Sequence, residues 1–95
     1  MRVSKEMVEF FKKEVGRLDP AAQVFLFGSR VDDSKKGGDI DVLILSGARL
    51  SRSELRELRL GFQMRFGEQR VDILNYRFDE DKPFKQLILH EAVPI

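Results

Sequence analysis

Residues 25–45 read FLFGSRVDDSKKGGDIDVLIL: a hydrophobic run, Gly28-Ser29-Arg30, a polar loop, and two aspartates fused to a second hydrophobic run. In a strand, residues i and i+2 share a face roughly 6.5 to 7 Å apart. Asp39 and Asp41 therefore converge on one spot. Ile40, Val42, Leu43, Ile44 and Leu45 would bury that strand on both faces, where paired carboxylates resist ionisation. A divalent cation removes the cost. Oxygen-only ligands on short acidic arms suit Mg²⁺, with Mn²⁺ as the alternative, shared with the phosphates of a substrate.

The first strand, Val24 to Phe27, ends at Gly28-Ser29, where a glycine lets backbone amides approach an anion and the serine adds a hydroxyl donor. Arg30 suits either a phosphate or a carboxylate as a bidentate partner. Gly-Ser is a common turn and Asp-X-Asp is common in loops. Their order, with nine residues from Arg30 to Gly38 between them, has few structural explanations.

GSR followed by GGDIDVLIL resembles the nucleotidyltransferase fold of the DNA polymerase beta superfamily, whose signature is Gly-Ser, a gap of this kind, then Asp-hydrophobic-Asp. The small size resembles its minimal branch, the MNT domains encoded beside a HEPN partner. That likeness implies an α/β (α+β) fold, a small mixed sheet with helices packed against it, as one domain over residues 1–95. It also implies a third carboxylate on a later strand. Arg70-Val71-Asp72-Ile73-Leu74-Asn75-Tyr76 supplies Asp72, on one face with Leu74 and Tyr76. Two departures bear on the loop: Gly38 stands where many relatives have serine, and Val31-Asp32-Asp33 where many have a small residue and glycine.

By this resemblance, Asp39, Asp41 and Asp72 are the catalytic and metal-binding residues, and Gly28, Ser29 and Arg30 bind the nucleotide. The implied reaction transfers AMP from ATP to a hydroxyl, a tyrosine of a HEPN ribonuclease toxin, with Mg²⁺ as cofactor. The chain would then be an antitoxin in an oligomer with its partner. The rival is a weak or inactive binding module that neutralises the HEPN partner by occlusion.

Composition sets bounds on both readings. Ninety-five residues bury only about 60 to 70 per cent of their unfolded surface, too little for two cores. A net charge of +1 gives no global field for nucleic acid. Nucleic-acid binding would rest on the Arg52, Arg56 and Arg59 ridge alone. The chain has no cysteine, no signal-like apolar segment at its start and no run long enough to span a bilayer, which fits the cytoplasm.

The remaining elements follow from periodicity and caps. Val8, Phe11, Val15 and Leu18 predict an amphipathic helix from Ser4, its N-cap, to Asp19-Pro20. Lys12, Lys13 and Arg17 form its solvated end. Ser51 and Glu54 form a capping-box pattern opening a second helix, with Leu55, Leu58, Phe62 and Phe66 inward, Leu60 and Met64 to one side, and Gly67 as C-cap. Asp79-Glu80-Asp81 and Pro83 are expected to start a last helix with Phe84, Leu87 and Ile88 facing the core. His90, the single histidine, reads as surface or structural, and Ala92 to Ile95 as a short extended segment.

Overall fold

Alternation along the strands sorts their side chains between two layers. The computed structural model describes residues 3–28, 40–67 and 69–95. It contains α1 (Lys5–Leu18), β1 (Gln23–Phe27), β2 (Ile40–Ser46), α2 (Arg52–Phe66), β3 (Val71–Arg77), α3 (Pro83–Glu91) and β4 (Val93–Pro94). The four strands form one mixed sheet in the order β3-β2-β1-β4, with β2–β3 parallel and the other two pairs antiparallel. A parallel pair needs a crossover, and α2 supplies it.

Val24 and Leu26 of β1, Ile40, Val42 and Ile44 of β2, and Val71 of β3 face α1 and α2 in the larger core. Phe10, Phe11, Phe62 and Phe66 fill the space between the two helices, with the Phe11 and Phe62 rings stacked at 5.2 Å. The alternate residues Leu43 and Leu45, with Phe25, Phe27, Leu74 and Tyr76, face the other way and meet Ile88 of α3. β2 is consequently buried on both faces, as its apolar run predicts.

The predicted caps form. The Ser4 hydroxyl accepts from the Met7 amide, and Ser51 and Glu54 close a reciprocal capping box. Gly67 ends α2 with φ +83°. Ala92 to Ile95 does extend, as β4 pairing with Phe25 and Leu26 of β1.

The last helix departs from expectation. Pro83 opens it as expected, but Lys82 is the N-cap and its first turn holds no acid. Its inward positions are Lys85 and Ile88, while Phe84 and Leu87 lie outside at 53% and 67% exposure. The cause is polar. The Lys85 ammonium donates to the carbonyls of Arg77, Phe78 and Glu80 at 3.1, 2.8 and 2.8 Å, satisfying the turn that leaves β3.

Candidate active site

The site is assembled by register. Phe27 lies opposite Asp41 in the β1–β2 pair, and Asp41 lies beside Asp72 in the β2–β3 pair. Adjacent strands run about 4.8 Å apart, so the two aspartates are neighbours at one end of the sheet. Each is in phase, at steps of two, with residues that face α3: Leu43 and Leu45 after Asp41, Leu74 and Tyr76 after Asp72. The carboxylates therefore share the α3 side. Asp41 is half-buried and Asp72 exposed.

Gly28 follows β1 at the same end with φ +75°. A Cβ built there would collide with the Asp41 carboxylate. Glycine is required twice over, once by the backbone and once by the carboxylate lying across it. This cradle joins Gly28, at the end of β1, to Asp41 of β2. Ser29, Arg30 and Asp39 lie outside the described residues, as do Asp32, Asp33 and the Lys35-Lys36 pair.

The described donors fit a hard divalent cation in chemistry. Asp41 and Asp72 offer oxygen ligands from neighbouring strands, and a cation offsets the repulsion of like charges held side by side. Among the described residues no group of three or more potential ligands forms. Asp39, two residues before Asp41, is the sequence's remaining candidate.

Beside Asp72 an open depression of about 500 Å³ runs between α2 and β3, walled by Arg59, Gln63, Arg70 and residues 71–74. Gln63 was not among the residues expected to matter. Its signal was the continuation, four residues on, of the Arg52-Arg56-Arg59 stripe.

Other polar side chains gather at the opposite end of the strands. Asn75 accepts from the Leu50 amide and donates to the Ile44 carbonyl and the Ser46 hydroxyl. Asp19 accepts from the Gly47 amide at 2.8 Å. Arg49 grips the buried Glu80 with two contacts of 2.6 Å, and the Arg77 amide donates to the same carboxylate. The Arg49 hydrogen bond, followed by that amide, lowers Glu80 from 4.5 to about 2. Arg49 is raised in return, chiefly by the same hydrogen bond. His90 is exposed near the end of α3.

The fold of the chain is similar to a chain of a toxin-antitoxin crystal structure with AMP-PNP, at TM-score 0.71 and 18% identity, covering 90% of this chain and 69% of that one. A chain of a mutant MntA-HpeT toxin-antitoxin gives TM-score 0.67 at 16% identity, covering 95% and 68%. A chain of the complex between tri-AMPylated Shewanella oneidensis HEPN toxin and MNT antitoxin gives 0.65 at 17%, covering 94% and 65%. At these identities the likeness is one of fold. No curated protein matches by sequence. The family model for the nucleotidyltransferase domain matches residues 8–95, and the chain belongs to that family.

Proposed function

We propose that the protein transfers AMP from ATP to a hydroxyl, a tyrosine of a HEPN-type toxin, and so acts as its antitoxin. One observation carries the reading: Asp41 and Asp72 stand side by side with Asp41 laid across Gly28. The neighbours add support, since one is a complex with an AMPylated HEPN toxin and another holds AMP-PNP. ATP as the donor supports a cytoplasmic location for the pair. Among the described residues no helix is long and apolar enough to cross a membrane.

Asp39 and Asp41 would hold Mg²⁺, or Mn²⁺, with the triphosphate, and Asp72 would complete a second position. When bound, the cation supplies positive charge to the attacking and leaving oxygens. Gly28 and Ser29 would bind the phosphates through backbone amides and a hydroxyl. Arg30 would pair with a phosphate or with one of the carboxylates. Asp72 accepts the proton of the acceptor hydroxyl. A bond then forms from that oxygen to the α-phosphorus, and the bond from the α-phosphorus to the bridging oxygen breaks, releasing pyrophosphate.

The test is transfer of label from α-labelled ATP to a co-purified HEPN partner. Asp41→Asn and Asp72→Asn are each expected to lower transfer about 100-fold or more, with the complex and thermal midpoint unchanged. An occlusion mechanism has its own supporting observation, the exposed Met64, Phe84 and Leu87. A wild-type complex that stays unlabelled with every common nucleoside triphosphate, yet silences the toxin, would establish occlusion and overturn the enzymatic reading.

A further inference from the structure

The surface beside Asp72 combines two features that want the same occupant. The first is an open backbone edge. β3 ends the sheet, and no described strand pairs with its outer side. Ile40 donates its amide to the Arg70 carbonyl, and Phe78 donates its amide to the Ser46 carbonyl. Even-numbered residues therefore bond to β2, and the backbone groups of odd-numbered residues point away from it. At Arg77 those outward groups are taken: the amide by Glu80, the carbonyl by Lys85. At Ile73 they face the open edge, where residues 71–74 wall the depression, whereas Val71 beside it is only 4% exposed.

The second feature is charge. Arg52, Arg56, Arg59 and Gln63 recur at spacings of four, three and four, one stripe along α2 about 16 Å long. The three arginines are exposed, and among the described residues none forms an ion pair. A shallow groove of about 690 Å³ follows the stripe, and it shares Arg59 and Gln63 with the depression beside Asp72. The two adjoin at these side chains. A protein of net charge +1 does not carry such a stripe as part of a general basic surface.

We propose that an extended acidic segment of the acceptor protein docks here, adding a short strand to the free edge of β3 centred on Ile73. Side chains of an added strand alternate between the two faces of the sheet. Those on the α2 side meet Arg56, Arg59 and Gln63, and those on the other side lie next to Asp72. The acceptor hydroxyl is thus expected between acidic residues one position before and one after it. Delivery of that hydroxyl rests on the transfer reaction proposed above, whereas docking does not. RNA fits less well, because Leu55 and Leu60 line the groove and no aromatic ring there offers a stacking surface.

The experiment titrates the full chain, without nucleotide, with a peptide alternating Glu and Thr about a central Tyr, following amide shifts by NMR. Saturable shifts centred on Ile73 are expected. Affinity should fall about tenfold or more when Lys replaces Glu, when alternate peptide amides are N-methylated, or in Arg52→Glu/Arg56→Glu/Arg59→Glu. That variant should keep the wild-type thermal midpoint, because all three side chains are exposed. No binding, or binding indifferent to N-methylation, overturns the proposal. Tighter binding of oligouridylate that the same variant abolishes also overturns it and reassigns the stripe to nucleic acid. Peptide binding without adenylyl transfer to the Tyr would leave the docking edge standing and count against the transferase reading alone.

Discussion

Gly28 carries two constraints in one residue, a left-handed backbone and contact with the Asp41 carboxylate. Gly28→Ala is expected to cost roughly 1–2 kcal/mol from φ alone. It also pushes Asp41 aside, and displacement by about 1 Å can lower a rate about 100-fold. Gly67 provides the control. Its φ is +83°, yet nothing lies within 4 Å of an added Cβ. Gly67→Ala should therefore lower the thermal midpoint without touching transfer, which a labelling assay beside a melting curve will show. The nearness of Asp41 and Asp72 was legible because the family resemblance implies a third carboxylate on a later strand, and Asp72 is the acid that residues 70–76 offer. Glu80 was not. Its partner Arg49 sits 31 residues earlier, and alternation carries no information about a turn meeting a loop.

Among the elements, those closed by local chemistry were read correctly. Ser4, Ser51 with Glu54, and Gly67 act within one helical turn of their own position, so spacing alone reveals them. The face of α3 depended instead on the turn after β3. Apolar counting points Phe84 and Leu87 inward, but three carbonyls needed a donor and Lys85 took the interior position. The Arg49–Glu80 pair makes a related link, tying the segment after β2 to the turn after β3. Its pH dependence follows from the sign of the shift. Glu80 is held at about 2 when folded against 4.5 ordinarily, so it contributes stability above 4.5 that disappears as pH falls toward 2. Arg49 is half-exposed, and salt will weaken the effect. Denaturation midpoints measured over that acidic window should fall less steeply for Glu80→Gln than for the wild type.

Across the whole molecule the sheet has a division of labour between its ends. Asp41, Asp72 and Gly28 occupy one end, while Asp19, Asn75, Arg49, Glu80 and Lys85 hold the other together. Chemistry at the first end can thus vary without loosening the ties at the second. β2 runs between them, covered on both faces and bonded along both edges. Amides so placed exchange their hydrogens with solvent only when the entire molecule opens. Asp41 stands in the same strand, so a cation or nucleotide gripped there protects every amide of β2 equally, by the logarithm of its concentration over its dissociation constant. Exchange from Val42 to Leu45 should slow uniformly as Mg²⁺ and ATP are added, with no such slowing in Asp41→Asn. The central strand then serves as a built-in gauge of occupancy, readable in deuterium without any turnover.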